Sequence, residues 1–313
     1  MKNFFITLAF LSFLSVSSYC QRIIDIKYEQ DARGNYQFYC SNNGYCSYII
    51  EINFTSLENA KADHDFPYRT AVKPGRTNLF KLSRENSEKP VQFKYATNFN
   101  KGCLHPQVNA DFTYLLPISP GKEAQAYELT NAGNKNVDPT SKNWYVIRLK
   151  MKPGDTIFAA RRGVVCEIQD SSGLNDAGVS SIGHENYLEI AQADCSIAHY
   201  GVLRKNSNLV KLGQSVAAGQ PIGVVGGDKY GRGSDIRFSV YYNPDEDNGS
   251  VSEGKKEVVW TYITLNFWMK NNGKGKLKHG ATYVSEHPTA IITQEMSKSE
   301  VKKRQPQQKP KSK

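Results

Sequence analysis

Two short segments in the second half of the sequence carry side chains that could do chemistry. In the first, Cys195 and His199 lie four residues apart in a stretch that alternates like a β-strand, which would place both on one face. Together with Cys166 they offer thiolate and imidazole groups, which commonly bind zinc. The simpler interpretation is a histidine beside buried structural cysteines, because the spacing fixes no coordination geometry. In the second segment, Asp235 and Arg237 share a strand face at positions i and i+2.

The first 20 residues have the features of a secretory signal peptide. Lys2 precedes an apolar run over residues 4–16, which is too short to span a bilayer because that takes roughly 20 residues. Small residues stand at the −3 and −1 positions before Gln21, so we predict cleavage after Cys20. The alternative is a lipoprotein acylated on Cys20, which the bulky tyrosine before it disfavours. We therefore expect an exported protein, periplasmic or secreted, without a transmembrane segment.

The cysteines after this cleavage point can form disulfides, because export leads to an oxidising compartment. The turn-rich segment SNNGY at residues 41–45 could close a hairpin and bring its two flanking cysteines together. The number of cysteines is odd, so at least one thiol stays free or pairs with another molecule. The spacing leaves the connectivity open among Cys40, Cys46, Cys103, Cys166 and Cys195.

Charge and composition exclude several classes of protein. The chain has 39% hydrophobic and 22% charged residues, which is ordinary for a globular protein and excludes collagen-like, coiled-coil and wholly disordered chains. Residues 298–313 account for +6 of the formal net charge of +10, so the rest of the chain is close to neutral. The basic tail lacks interleaved aromatic residues, so we expect no specific binding of nucleic acid.

The elements that would position these residues are almost entirely β-strands. Alternating segments rich in Ile, Val, Tyr and Phe, bounded by Gly, Asn and Pro, predict an all-β chain. We predict an N-terminal β-sandwich at residues 21–114, a connector at 115–126, an antiparallel β-sheet domain at 127–290 and a disordered basic tail at 291–313. In the second domain, the predicted strands cover residues 144–149, 156–159, 163–168, 186–190, 196–202, 221–225 and 236–242.

Residues of the second domain resemble the LytM (lysostaphin-type) zinc peptidoglycan endopeptidases. GDTIFAARRGVV at residues 154–165 is similar to the G-T-P-V-x-A-x-x-x-G-x-V run of that family. VKLGQSV at 210–216 and AGQPIG at 218–223 resemble the next conserved segment, and DIRF at 235–238 resembles the strand that carries an H-x-H motif. The first domain, with YLLP at 114–117, resembles a β-sandwich that often precedes this peptidase domain in exported proteins of the Bacteroidota type.

The resemblance implies a zinc site whose residues are replaced here. The family holds zinc with a His, an Asp and the second His of the H-x-H motif, and further histidines position and polarise water. Arg148 stands at the Asp position, Asp235 and Arg237 at the H-x-H histidines, and Val202 at the His of a Y-x-H-L strand. We expect His199 to point away from this pocket, because it lies three residues from Val202 in the predicted strand. The expected cofactor is therefore none, with zinc absent.

The residues that stand at the family's site positions have complementary charges. An acid has become Arg148 and a base has become Asp235, so we predict that Asp235 pairs with Arg148, Arg237 or both. The alternative is that both arginines extend into solvent. A binding groove left from the peptidase would use Arg148, Tyr200, Tyr230, Arg232, Asp235 and Arg237.

Three functions fit these observations. The first is a non-catalytic homologue of the peptidases that binds peptidoglycan or an envelope protein as a binding or regulatory module. The second is a structural or interaction component of the envelope or of a secreted complex. The third is a hydrolase with a rebuilt site, for which the sequence offers no nucleophile. The pattern identifies neither the ligand nor an oligomeric state.

Overall fold

The structure is a computed structural model of the 313-residue chain. It describes residues 22–130, 141–170, 185–226, 234–244, 251–252, 255–256 and 258–304. The predicted signal peptide and the predicted groove residues Tyr230 and Arg232 lie outside these ranges. Among the helices within them, none is long and apolar enough to cross a membrane.

The first region is a sandwich of two antiparallel sheets, as predicted. One sheet has the order β1-β2-β6-β4 and the other β5-β3-β7. Alternate apolar residues of both sheets fill the space between them, and the rings of Phe38 and Phe80 stack at 4.7 Å between centroids. The strands are β1 Ile24–Gln30, β2 Tyr36–Asn42, β3 Tyr48–Glu58, β4 Ala60–Ala62, β5 Tyr68–Val72, β6 Gly75–Arg84 and β7 Gln92–Lys101.

The second region is built on one large antiparallel sheet. Its strands follow the order β16-β13-β14-β15-β18-β11-β9-β24, and short strands extend or cover it. The strands are β8 Thr113–Leu115, β9 Glu123–Thr130, β10 Ser141–Lys142, β11 Tyr145–Lys150, β12 Thr156–Phe158, β13 Gly163–Gln169, β14 Tyr187–Ala191, β15 Ile197–Gly201, β16 Ser215–Val216, β17 Pro221–Val224, β18 Asp235–Tyr242, β19 Val251–Ser252, β20 Lys255–Lys256, β21 Trp260–Tyr262, β22 Asn266–Met269, β23 Gly273–Gly275 and β24 Thr282–Val284.

One face of the large sheet forms the core of the second region. Tyr200 and Phe238 are fully buried there, with ring centroids 4.9 Å apart. Phe238 in turn packs against Phe267 of β22 at 6.0 Å. Because strand side chains alternate, every second residue of β11, β15 and β18 points to the opposite face, where the polar residues of this region gather.

The first residues of the predicted connector at 115–126 are buried. Leu115, Leu116 and Ile118 are fully buried, and Leu116 and Ile118 belong to the second core. β8 pairs in parallel with β22, and Ile118 forms a bridge with Ile157. This segment is therefore part of the second core, because its apolar side chains are buried more favourably there than exposed along a surface linker.

The predicted disordered tail also differs where the structure describes it. Residues 291–304 contain the end of helix α1 (Thr289–Ile292) and all of helix α2 (Lys298–Arg304). Glu295, between the helices, accepts a 2.6 Å hydrogen bond from the guanidinium of Arg161, whose side chain is only 4% exposed. The prediction of a disordered tail considered only the composition of this segment. It could not take account of the bond between Glu295 and a buried arginine far away in the sequence.

The structure gives the disulfide connectivity that the sequence left open. Cys103 and Cys195 form a disulfide that links the two regions. Cys40, Cys46 and Cys166 are free. Cys40 is fully buried in the sandwich core on β2, whereas the Cys46 thiol interacts with Cys166, so the turn does not join the two cysteines that flank it. Because Cys195 is bonded to Cys103, it cannot serve with Cys166 and His199 as a metal ligand.

Candidate functional site

The polar face of the large sheet carries the candidate site. Four neighbouring strands contribute, in the order β14-β15-β18-β11. Arg237 of β18 lies directly opposite Arg148 on one side and Gly201 on the other. His199 lies opposite Ser239 of β18 and Glu189 of β14. Residues opposite one another in a ladder share a face, so these side chains gather on one surface.

Arg148 and Asp235 form a buried ion pair on this surface. The Arg148 Nε atom donates a 2.6 Å hydrogen bond to Oδ2 of Asp235, and a terminal nitrogen of the same guanidinium contacts the same oxygen. The two side chains are 17% and 8% exposed. Lys150, not Arg148, is the ladder partner of Asp235, so the arginine reaches diagonally across the two strands. The pairing predicted for Asp235 with Arg148 is confirmed.

Arg237 lies beside this pair, and one of its nitrogen atoms makes no hydrogen bond. Its Nη1 atom donates a 3.3 Å hydrogen bond to Glu185, and its Nε atom lies 3.9 Å from Oδ1 of Asp235. That Nε atom is buried and has no hydrogen-bond partner. A buried guanidinium N–H without a partner costs free energy, so a carboxylate or carbonyl oxygen that reached it would bind favourably.

These side chains do not fit a zinc ion. Zinc binds through lone pairs of thiolate, imidazole or carboxylate, and a protonated guanidinium offers none. Asp235 is the one carboxylate among the replaced positions, and it already bonds to Arg148. Within the described ranges, no group of three or more His, Cys, Asp or Glu side chains could hold a metal ion.

A cavity opens next to Arg237, between the two regions of the molecule. Tyr48 and Phe99 of the sandwich and Trp144 and Trp260 of the second region line it. Aromatic walls of this kind can stack against apolar or sugar rings, while polar groups orient a ligand. The polar and charged side chains that also line the cavity are Asn100, Lys101, Glu185, Glu189, His199, Arg237 and Ser239.

The floor of this cavity holds a second cluster of charge. Lys101 of β7 extends from the sandwich and donates hydrogen bonds to Glu167 and, at 2.6 Å, to Glu189. His199 lies 3.3 Å from Glu189, and the Tyr241 hydroxyl also donates to that carboxylate. Glu189 is buried, which by itself raises its pKa, but hydrogen bonds and charges from His199 and Lys101 lower the pKa to about 2.

Tyr200, which was predicted for the groove, and Val202, which stands at a family His position, are both buried. Tyr200 faces away from the cavity, and its hydroxyl accepts a 2.9 Å hydrogen bond from the backbone N–H of Ala160. Val202 is 1% exposed and has a positive φ of 69°. The side-chain alternation of β15 places Tyr200 on the face of Phe238, so the strand pattern itself assigns it to the core.

His199 was predicted to point away from the arginines, and this is wrong. It lines the same cavity as Arg237, on the same face of the sheet. The prediction extended strand alternation through Val202. β15 ends at Gly201, and the left-handed backbone at Val202 ends the alternation there. The face to which His199 belongs is therefore set by its pairing with β18, and its separation from Val202 does not predict that face.

Sequence reasoning missed Lys101, Glu185, Glu189, Trp144 and Trp260 as cavity residues. A signal was present for one of them, because Glu189 interrupts the otherwise apolar strand β14 and a carboxylate in such a strand needs a partner. Lys101 gave no such signal, since it comes from a different region of the chain.

Comparisons with known proteins match part of this chain to a peptidase family. Residues 142–249 match Peptidase family M23, a range that contains Arg148, Val202, Asp235 and Arg237. No curated protein matches the chain. The chain carries an M23 peptidase-family domain at these residues.

Several solved structures are similar to this chain. A mutant catalytic domain of the prophage-encoded M23 protein EnpA from Enterococcus faecalis is 23% identical, with 47% of this chain and 98% of that chain covered and a TM-score of 0.27. The catalytic domain of lysostaphin from Staphylococcus simulans is 20% identical, with 47% and 88% covered and a TM-score of 0.27. Csd3 from Helicobacter pylori is 13% identical, with 81% and 77% covered and a TM-score of 0.30. These values are too low to transfer an activity.

Proposed function

We propose that this chain is an exported, non-catalytic homologue of the peptidoglycan metalloendopeptidases that acts as a binding or regulatory module of the cell envelope. The observation that carries the proposal is the buried Arg148–Asp235 ion pair, with Arg237 beside it, inside the family-matched range. The side chains that replace the metal ligands bond to one another, so the pocket contains a salt bridge formed by the protein itself.

The chemistry of this pair opposes metal binding at neutral pH. A guanidinium keeps its proton throughout the physiological range, so Arg148 and Arg237 bring positive charge to the place where a divalent cation would sit. Coulomb repulsion between these charges and Zn²⁺ adds to the lack of donor atoms. Asp235 would have to leave Arg148 before it could coordinate a metal.

Zinc content tests the non-catalytic part of the proposal. The purified mature protein is loaded with zinc, desalted and analysed for metal, and the same sample is incubated with purified peptidoglycan. We expect far less than one zinc per chain and no release of soluble fragments. Near-stoichiometric zinc together with peptidoglycan cleavage would overturn the proposal and favour a rebuilt hydrolase.

The cavity beside Arg237 supports the binding part. Its aromatic walls and the unpartnered Nε atom of Arg237 suit a ligand that has both a ring or apolar surface and a carboxylate, as peptidoglycan stem peptides and their sugars have. We propose peptidoglycan as the ligand and Arg237 as the group that orients it.

Co-sedimentation with purified peptidoglycan sacculi tests this assignment. We expect the wild-type chain to sediment with the sacculi and Arg237→Ala to lose about tenfold in affinity, which corresponds to roughly 1.4 kcal/mol for one charge-assisted hydrogen bond. The matched control is Arg204→Ala, which removes an exposed arginine of the same domain that does not line the cavity. Equal loss for both variants would show general charge attraction, and no binding by the wild type would remove peptidoglycan as the ligand.

Export is part of the same proposal and has its own test. The predicted signal peptide places the start of the mature chain at Gln21. N-terminal sequencing of the protein recovered from its native envelope or medium should begin at that residue. An intact Met1 would overturn export, and a lipid-modified Cys20 would favour the lipoprotein alternative.

A further inference from the structure

We propose that Cys46 of the sandwich and Cys166 of the large sheet form a second disulfide across the interface between the two regions. Cys46 and Cys166 are free in the structure, and neither belongs to the candidate site described above. The proposal depends on an oxidising compartment and not on the identity of any ligand.

The first step is the position of Cys166, which lies in a β-bulge. The register between β13 and β14 shifts between Val165 and Glu167, so Cys166 has no ladder partner. A bulge of this kind redirects a side chain. Val165 faces the second core, while Cys166 packs against the hydrophobic cluster of the sandwich, with its sulfur 3.5 Å from the backbone oxygen of Glu189.

The second step is the position of Cys46, which the sandwich holds firmly. The side-chain amide of Asn42 donates a 3.0 Å hydrogen bond to the Cys46 carbonyl and another of 3.0 Å to the carbonyl of Val72. Asn42 is itself 3% exposed. The segment before β3 is thereby fixed, and it presents the Cys46 thiol to Cys166.

The third step is that the interface is already fixed on both sides of the two thiols. On one side, the Cys103–Cys195 disulfide joins the regions covalently. On the other, Lys101 bonds to Glu167, the residue directly after Cys166. Cys46 belongs to the sandwich cluster against which Cys166 packs, so these links keep the two thiols in one packed interface, as a disulfide requires.

The two thiols interact directly and have unequal chemistry. A hydrogen bond from Cys166 and the positive charge of Lys101 lower the pKa of Cys46, although burial opposes this. The same hydrogen bond and burial raise the pKa of Cys166. Cys46 is therefore the thiol that ionises and attacks an oxidant, and it lines an open cavity at the interface that a small disulfide can enter.

The reaction is a two-step thiol–disulfide exchange with oxidised glutathione or a protein disulfide as the oxidant. The Cys46 thiolate attacks one sulfur of the oxidant, which forms a mixed disulfide and releases one thiolate. Cys166 then loses its proton and attacks the Cys46 sulfur, which forms the Cys46–Cys166 bond and releases the second thiolate. The two cysteines lose two electrons and two protons, and the oxidant becomes two thiols.

Disulfide mapping of the full chain tests the proposal. The folded protein is treated with excess oxidised glutathione, denatured, alkylated and digested without reduction, and its peptides are identified by mass spectrometry. We expect a Cys46–Cys166 peptide pair beside the Cys103–Cys195 pair, with Cys40 as the alkylated cysteine. Alkylation or glutathione on both Cys46 and Cys166, or a Cys40–Cys46 pair, would overturn the proposal.

Two variants sharpen this result. Cys166→Ser should leave Cys46 as a stable mixed disulfide with glutathione, because the second step is blocked. Cys40→Ala is the matched control, since Cys40 is fully buried in the sandwich and its burial raises its pKa to about 11. Loss of the Cys46–Cys166 pair in Cys40→Ala would contradict the assignment, and the wild-type map decides the question even where a variant fails to fold.

Discussion

Two clusters of buried charge lie on the same face of the large sheet, and they are assembled in different ways. Arg148, Asp235 and Arg237 come from two neighbouring strands of one sheet. Lys101 comes from the sandwich and reaches Glu167 and Glu189 in the other region. The first cluster bonds within a sheet, whereas the second joins two cores. The first should therefore govern what the cavity binds, and the second how firmly the two regions hold together.

Lys101→Met should have the largest effect. It removes the cation that pairs with Glu167 and Glu189, and it leaves the Glu189 carboxylate, whose side chain is 6% exposed, buried without that partner. Removing one partner of a buried ion pair costs about 3–5 kcal/mol. We expect the free energy of unfolding in urea to fall by that amount. Lys27→Met, which breaks the surface pair with Asp25, is the control and should leave the midpoint unchanged. Equal effects would show that the Lys101 cluster stabilises the fold no more than an exposed ion pair does.

Low pH should have the second-largest effect on stability, through the same cluster. The pKa of Glu189 is lowered to about 2, below its ordinary value of 4.5, so its contribution to stability is present above the ordinary value and is lost as pH falls towards 2. The groups that face it are Lys101, His199 and Tyr241. Such a shift corresponds to up to about 3 kcal/mol. Urea unfolding between pH 7 and pH 2.5 should show a steeper loss for wild type than for Glu189→Gln, and parallel curves would contradict the assignment.

Breaking the pair within the sheet should cost less. Arg148→Ala leaves Asp235 buried but within 3.9 Å of the Arg237 Nε atom, which partly replaces the lost partner. We expect a loss of about 1–3 kcal/mol in thermal or urea unfolding, and a similar loss for Asp235→Ala. In Arg148→Met/Asp235→Leu, the two losses should not add, because no unpaired charge remains. No loss from either single change would show that the pair does not stabilise the fold.

Tyr200→Phe should have the smallest effect. It removes one hydrogen bond, from the Ala160 N–H to the Tyr200 hydroxyl, and keeps the packed ring. We expect a loss of about 1 kcal/mol and unchanged binding to sacculi, since the ring faces the core. A loss of binding without loss of stability would instead return Tyr200 to the groove.

The predictions from sequence were accurate where a feature depends on residues that are close together in the sequence. Five strands of the large sheet, β11, β13, β14, β15 and β18, appear within one residue of their predicted ends, because alternation of apolar residues reflects the burial of one face. The strands β9, β16 and β24 of the same sheet were not predicted. The Arg148–Asp235 pair was predicted on another ground, because the resemblance placed residues of opposite charge at two positions of one metal site. Tyr200 could have been assigned to the core by the same alternation.

The predictions failed where the environment comes from elsewhere in the chain. The bulge at Cys166, the end of β15 at Gly201 and the bond between Cys103 and Cys195 depend on register and on contacts between the two regions. The ordered helix after Glu295 depends on Arg161, which is more than one hundred residues earlier. A periodic pattern contains no information about partners at such separations.

The Cys103–Cys195 bond spans 92 residues, and this has a consequence for how the molecule responds to proteolysis. A single backbone cut anywhere between these two cysteines leaves both fragments in one covalent molecule. The cut would therefore be invisible on a gel run without reductant, and two bands would appear only after reduction. The disulfide also keeps the sandwich and the large sheet of a cleaved molecule close together. Their native contacts can therefore re-form within one molecule, without association of two separate fragments.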